Sequence, residues 1–405
     1  MFHQIADYIV KHGNVFFPGW FGGRNAEDIT ESEFRAMFAA NYHNKSVAKM
    51  SKLQNQQFDS LLKILRDRTG AGFKEEDGSS GRVYYDDTEG FPAGYLQHTR
   101  DNLHVVHHPL ILYLWSHIAG IASEFVLWGL CFNKECDAET SISYWHKPAG
   151  LPVSVCQQRK PIVFAHGMGV GLSAYLHVIW SLCNLSSYTM DAEEAVDNRD
   201  VYLMDFPHIA MRICDDVPTV DTINETIRNF LRNDGHTSAS FVGHSYGSVI
   251  LARMAKTYPH LMHTSIYIDP ICFLLYIPKV VNSFVYRKPD NHWFQWARYY
   301  GCSRELYMQN VLCRNFWWYQ YNMHPTEIPA NSLVVASMKD DIVPSDLVVD
   351  HIKHLSPETK LMLPDYYHAE FMAHPYFIGD LMTQLVALED GVELTKQRKD
   401  KVFAA

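Results

Sequence analysis

The chain has 405 residues, and at roughly 100 to 200 residues per domain that length points to two domains, or to one large α/β domain with appendages. Hydrophobic residues make up 47%, aromatic residues 13% and charged residues 20%, which excludes the disordered class, with its low hydrophobicity and high net charge. Thirty-five basic against forty-five acidic residues give a formal charge of −10. The only basic run is the short tail Lys396 to Lys401, so no nucleic-acid partner is expected.

The eight cysteines run from Cys131 to Cys313 without a CxxC pair, a usage that fits reduced, buried thiols in the cytosol better than disulfides or a zinc site. The start, MFHQIADYIVKHG, lacks the basic segment, apolar stretch and cleavage site of a secretory signal. A mean hydropathy of −0.18 excludes a polytopic membrane protein. Cytoplasmic residence is therefore expected.

Residues 1–150 read as a helical region, with helices over Glu31 to Tyr42 and Lys45 to Arg68 and a Gly- and acid-rich loop through Asp77 to Gly81. The pair His107-His108 is no metal site, because adjacent side chains on a helix or strand point apart. From Leu110 to Phe132 runs the longest apolar stretch, long enough for a bilayer span. It is interrupted by Ser116, His117, Gly120, Ser123 and Glu124, which at 100° per residue fall within about a third of the circumference. A span wetted by lipid all round would bury Glu124 and His117. The one-sided pattern favours a helix lying in a membrane interface or packed on the next domain, with a true span as the alternative.

From Pro161 onward the pattern changes to strands alternating with helices. Short apolar runs at 161–165, 201–205, 238–242, 264–268, 333–337 and 360–363 read as buried parallel strands, with helices at Thr219 to Asn233 and Ser248 to Tyr258 between them. Such alternation predicts a parallel sheet with helices on both faces and a ligand site at the carboxyl ends of the strands. The domain boundaries expected are 1–150, 151–388 and a polar tail at 389–405.

At one strand end stands Gly243-His244-Ser245-Tyr246-Gly247. A GxSxG match arises by chance in roughly one chain in seven of this length. Here, however, it sits between an apolar strand and a helix, where flanking glycines permit the sharp turn that exposes a serine hydroxyl. Such a serine needs a base, an orienting acid and donors for an oxyanion. His166-Gly167-Met168-Gly169-Val170-Gly171 follows an earlier strand, and the backbone N–H groups of Met168 and of Tyr246 are the expected donors. Two acids, Asp340 and Asp341, follow a later strand; Asp340 is the first choice, with Asp341 and Asp269 as alternatives. His368, just beyond the last strand in Tyr366-Tyr367-His368-Ala369-Glu370, is the expected base. The order Ser, Asp, His differs from that of the common proteases.

On these residues, from the strand with its HG loop through GHSYG and Asp340 to Pro344 to the terminal histidine, residues 160 to about 385 resemble the α/β-hydrolase superfamily, in its serine branch. By overall character they look most like eukaryotic members with a helical N-terminal extension. The resemblance implies an eight-stranded, mostly parallel sheet, a triad of Ser245, Asp340 and His368, and hydrolysis through an acyl-enzyme. No cofactor and no metal are expected.

The fold usually inserts a cap after the sixth strand, and here residues 271–325 are unusually rich in aromatics. An aromatic cleft favours an apolar or lipid-like ester. His166, Gly167 and His244, with the cap residues Trp293, Trp296 and Trp317, are expected to line the substrate site. The expected function is a serine esterase or lipase in contact with an intracellular membrane surface through residues 110–132. The alternatives are an inactive hydrolase-like scaffold or an acyltransferase on the same triad.

Overall fold

The computed structural model describes residues 2–69, 73–74, 94–150, 159–188, 198–289 and 293–392. The loop expected over Asp77 to Gly81 and the basic tail Lys396 to Lys401 lie outside the described residues.

Eight strands form one sheet: β1 (Asn133–Cys136), β2 (Ser143–Lys147), β3 (Ile162–Ala165), β4 (Val201–Met204), β5 (Ala239–His244), β6 (Met262–Ile268), β7 (Ser332–Val335) and β8 (Lys360–Met362). Their spatial order is β1-β2-β4-β3-β5-β6-β7-β8. Pairing is parallel from β4 through β8 and antiparallel for β1 with β2 and for β2 with β4. Residues of β3, β4 and β7 are buried throughout, which is why these strands read as unbroken apolar runs.

Alternate residues of each strand feed two separate cores. Val163, Tyr202, Phe241 and Val334 belong to one, and Ile162, Phe164, Leu203 and Val335 to the other. The period of two thus places a hydrophobic layer on each face.

Thirteen α-helices surround the sheet among the described residues: α1 (Phe2–Trp20), α2 (Glu31–His43), α3 (Lys52–Thr69), α4 (Leu110–Gly129), α5 (Leu176–Cys183), α6 (Val220–Asn233), α7 (Gly247–Thr257), α8 (Pro278–Val281), α9 (Trp293–Arg298), α10 (Leu306–Arg314), α11 (Trp318–Tyr321), α12 (Ser345–Leu355) and α13 (Pro375–Glu389). Helices α5 and α13 cover one face through residues such as Ile179 and Leu381. On the other face, α6, α7 and α12 share one continuous core with α1, α2 and α3. The N-terminal helices are tied to the segment after β6 by two polar contacts as well: Trp20 Nε1 and Tyr42 Oη both donate to the Tyr276 carbonyl, at 3.3 and 3.2 Å.

Two differences from the sequence reading follow. Residues 1–150, read as helical, end in β1 and β2, which complete the sheet on its antiparallel edge. Their sequences, NKEC and SYWHK, are short and polar because one is an exposed edge strand, where charges discourage edge-to-edge pairing. The helix expected from Lys45 starts only at Lys52, because Asn44 closes α2 in the left-handed region at φ 50° and Ser51 accepts the Gln54 N–H at 3.2 Å.

Helix α4 buries Ser116, Gly120, Ser123 and Leu127 and exposes most of its apolar residues. Ser116, Gly120 and Ser123 face the protein, with Ser116 Oγ donating to the Ala210 carbonyl at 3.0 Å and Tyr113 Oη to Glu305 at 2.8 Å. Leu110, Ile111, Leu114, Trp115, Ile118, Ile121, Phe125 and Trp128 are each more than half exposed.

Candidate active site

Strand β5 runs straight into α7 through a turn at Ser245, whose φ of 50° lies in the left-handed region that non-glycine residues avoid. The flanking glycines allow it. A β-carbon on Gly247 would lie 2.1 Å from the Ala165 carbonyl oxygen, and one on Gly243 would lie 2.8 Å from the Gly247 oxygen. The turn is locked further by the Ser245 N–H, which donates to the Ile268 carbonyl at 2.9 Å. A strained residue held by its surroundings is a mark of a functional position.

His368 reaches this serine from the loop after β8. Its Nε2 lies 2.9 Å from Ser245 Oγ, and its Nδ1 lies 2.6 Å from Asp340 Oδ2. Asp340 in turn accepts the backbone N–H groups of Ile342 and Val343 through Oδ1, at 2.8 and 2.9 Å. These bonds hold the carboxylate against the imidazole. Burial opposes the charged form of His368, but the charge and hydrogen bond of Asp340, with the charge of Asp269, outweigh it and move the ring above its ordinary range.

The other two candidate acids have different partners. Asp269, fully buried after β6, accepts the N–H of Ser337 at 3.1 Å and of Ala369 at 2.9 Å, so it braces the two loops that carry Asp340 and His368. Burial, reinforced by the nearby Asp340 charge, raises its carboxyl. Asp341 points into the cap, where Arg298 grips both of its oxygens and Arg287 adds a bond of 3.0 Å.

The HG loop packs behind the serine. His166 is fully buried and spends both nitrogens on backbone: Nδ1 donates to the Gly167 carbonyl at 2.8 Å and Nε2 accepts the Phe206 N–H at 3.1 Å. Burial lowers this ring to about 4, so it is a neutral brace for the loop. A β-carbon on Gly167 would lie 2.9 Å from that of Ser245, so only glycine lets the loop come this close. His244 Nδ1 lies 2.6 Å from Tyr175 Oη, which accepts the Gly167 N–H at 3.1 Å. Burial, with the His368 and His166 rings nearby, keeps His244 far below its usual range.

Ser245 and His368 open into a cavity of about 620 Å³, whose wall also contains Met168, Tyr175, His244 and Tyr246. The rest of the wall is overwhelmingly apolar; much of it comes from the cap, with Trp20 of α1, Leu112 and Trp115 of α4, and residues of the loops after β3, β4, β7 and β8. The expectation for the tryptophans is corrected here. Trp293, Trp296 and Trp317 are absent from the wall, which takes Trp20, Trp115 and Trp318 instead. Trp293 and Trp296 are 73% and 42% exposed, and Trp317 packs at the edge of the core. Dense aromatics in the cap segment therefore do not identify which rings face inward. Phe294, another cap aromatic, has a side chain outside the described residues.

Several wall residues had no sequence signal. Tyr175 and Arg298 lie outside any motif, and Trp20, Leu112 and Trp115 come from the region before the sheet. Only the spatial closeness of α1 and α4 to the elbow brings them in.

A sequence profile described as the alpha/beta hydrolase family matches residues 162–378, whereas no curated protein matches the chain. Among solved structures, a bacterial membrane phospholipase A aligns with a TM-score of 0.46 at 16% identity, over 69% of this chain and 94% of its own. A putative lipase from Acinetobacter baumannii aligns at 0.45 and 13% identity, over 72% of this chain and 99% of its own. A carboxylesterase from Bacillus subtilis aligns at 0.44 and 12% identity, over 67% and 97%. The matched profile spans strands β3 to β8, the GHSYG elbow and the His368 segment, more than half of the sequence, and the chain belongs to the alpha/beta hydrolase family.

Proposed function

We propose that the protein is a serine hydrolase that cleaves carboxylic esters of apolar, lipid-like substrates, with Ser245 as nucleophile, His368 as base and Asp340 as orienting acid. The observation that carries this reading is the unbroken hydrogen-bond chain from Ser245 Oγ through His368 to Asp340, opening onto a large apolar cavity. An inactive scaffold has no need of a strained serine bonded to a buried histidine–carboxylate pair.

In this mechanism Ser245 Oγ attacks the ester carbonyl carbon while its proton passes to His368 Nε2, and Asp340 stabilises the imidazolium. The carbonyl oxygen becomes an oxyanion facing the backbone N–H groups of Met168 and Tyr246. Collapse breaks the bond to the alcohol, which leaves with the proton from His368. Water then attacks the acyl-enzyme, giving its proton to His368, and the second collapse returns that proton to Ser245 and frees the acid. Nothing else is consumed.

The same reading assigns α4 to a lipid surface. Leu112 and Trp115 are exposed on its outward side and also stand in the cavity wall, so the uncovered apolar face is continuous with the site. A partly buried helix with such a face binds interfaces by its apolar area, and an ester drawn from that interface meets the cavity without crossing water.

A fluorophosphonate probe and a series of p-nitrophenyl esters test the enzyme reading. Labelling at Ser245 is expected, with kcat/KM rising with chain length. Labelling at another serine overturns it.

A further inference from the structure

A second buried polar chain runs through the residue before the nucleophile and shares no side chain with the triad. It starts at the HG loop, where the Gly167 N–H donates to Tyr175 Oη at 3.1 Å, and passes from that oxygen to His244 Nδ1 at 2.6 Å. His244 Nε2 faces Asp269 Oδ2 at 3.8 Å, and Asp269 accepts the N–H groups of Ser337 and Ala369. Tyr175, His244 and Asp269 are all buried. One set of contacts thus joins the HG loop, the elbow and the loops that carry Asp340 and His368.

The Tyr175 phenol has one proton to give. Because its oxygen accepts the Gly167 N–H, the assignment that pairs every group sends that proton to His244 Nδ1 and leaves the ring's own proton on Nε2, towards Asp269. Burial, with the His368 and His166 rings nearby, holds His244 well below its usual range, so a neutral acceptor stands opposite the phenol. The seat is tight. A β-carbon on Gly167 would lie 2.8 Å from His244 Nδ1, 2.9 Å from the Ser245 β-carbon and 3.1 Å from Tyr175 Oη.

These contacts fix the peptide that follows Gly167. Its carbonyl accepts from His166 Nδ1 at 2.8 Å, and across a trans peptide the next N–H, that of Met168, points the opposite way. The Gly169 N–H is taken by the Ile209 carbonyl at 3.0 Å. Both neighbouring N–H groups are therefore spent, whereas that of Met168 makes no backbone bond among the described residues, and Met168 lines the cavity with Ser245. We propose that Tyr175 and His244 are positioning residues for the oxyanion: by holding Gly167 they keep the Met168 N–H aimed at the charge that develops on the ester carbonyl. The inference rests on the ester-hydrolase reading, in which that N–H is a donor.

Tyr175→Phe keeps the ring and removes only the link. Per site titrated to completion with the fluorophosphonate probe, its kcat should fall by about 10- to 100-fold, less than the roughly 10²–10³ lost with an oxyanion donor itself, while KM stays nearly unchanged. His244→Leu should do the same, and His244→Asn, which returns an acceptor near the place of Nδ1, should restore most of the activity. The double variant Tyr175→Phe with His244→Leu should lose little more than either alone, since both break one link. Inhibition by 1,1,1-trifluoro-2-tetradecanone, whose adduct with Ser245 carries an oxyanion, is compared with inhibition by 2-tetradecanone. The wild-type preference for the trifluoro compound should drop about tenfold or more in Tyr175→Phe, whereas a variant that is merely less stable keeps that ratio. If wild type cleaves esters but the ratio is the same in Tyr175→Phe, or His244→Asn is no better than His244→Leu, the positioning role is refuted and the hydrolase reading stands. If wild type cleaves no ester yet prefers the trifluoro ketone, and Tyr175→Phe loses that preference, the hydrolase reading fails and the positioning role stands; a wild type without the preference refutes it.

Discussion

Asp341 is clasped by Arg298 of the cap, one residue after the carboxylate that holds His368. Adjacent acids on one loop therefore do different things: Asp340 faces the imidazole, and Asp341 ties the loop to the cap. Asp340→Asn should lower kcat by about 10⁴, the size seen when an orienting aspartate is lost in a serine protease. Asp341→Asn should leave Ser245 labelling intact while raising KM and lowering the melting temperature. Breaking a buried pair costs about 3–5 kcal/mol, and the low end applies here because Arg287 is a third exposed. A kcat loss at Asp341 larger than that at Asp340 would reverse the assignment.

The elbow gives a test that separates geometry from chemistry. Ser245→Ala and Ser245→Gly should both abolish labelling and cut kcat by at least about 10⁴. The glycine variant should be the more stable of the two by about 1 kcal/mol, since φ of 50° strains alanine but not glycine. Gly247→Ala should fail to accumulate as soluble protein, given the 2.1 Å approach to the Ala165 oxygen, whereas Gly129→Ala, with nothing within 4 Å, should fold normally. Equal thermal stability of the two Ser245 variants would remove the strain argument.

The histidines set opposite pH dependences. In the proposed mechanism His368 acts as base and must be neutral, and its pKa is raised, so kcat/KM should climb through a pKa above the ordinary value of about 6.5. In Asp340→Asn the main raising influence is gone and the limb should shift down. For stability, a raised His368 contributes fully below its unfolded pKa and loses that contribution as pH rises through the folded one. His98, His166, His208 and His351 are all lowered to about 4, mainly by burial, and His244 lies well below its ordinary range for the same reason. Their contribution is complete above about 6.5 and is lost as pH falls towards 4. The lowered rings outnumber the two raised ones, His146 and His368, so the melting temperature should drop between pH 6.5 and 4. A flat profile across that window would show that these rings are not buried as neutral imidazoles.

What could be read from sequence follows burial. Strands β3 to β7, buried on both faces, leave apolar runs that fix their place and hence the carboxyl-end loops carrying Ser245, Asp340 and His368. Strands β1 and β2, at the polar edge, leave no such trace. Long-range polar pairings were equally silent: nothing in Arg298 announces Asp341, and nothing in Trp20 or Trp115 announces a cavity assembled from the far side of the chain. Helix α4 is the intermediate case. Its polar stripe of Ser116, Gly120 and Ser123 is visible as a pattern and meets the protein, but a pattern cannot say that the opposite side is left exposed among the described residues.

That opposite side supplies the last prediction, binding to lipid vesicles. Ile118, Ile121 and Phe125 are 65%, 54% and 62% exposed and stand outside the cavity wall, so replacing them leaves the site's lining alone. Each apolar side chain moved from water to lipid contributes about 1.5–3 kcal/mol when fully buried, and an interfacial helix buries only part of each. Ile118→Glu with Phe125→Glu should therefore lower the vesicle partition coefficient by at least about tenfold, read by co-sedimentation with zwitterionic phosphatidylcholine vesicles. Hydrolysis of p-nitrophenyl acetate in solution should continue, while hydrolysis of a long-chain ester presented in the vesicles should fall with binding. Carbonate should release the wild-type protein, because α4 is held along one side by Ser116 and Tyr113 and is not free to span. Wild-type protein that stays in the supernatant with vesicles present would end the lipid-surface reading. Loss of acetate hydrolysis in the double variant would instead make α4 part of the structural support of the site.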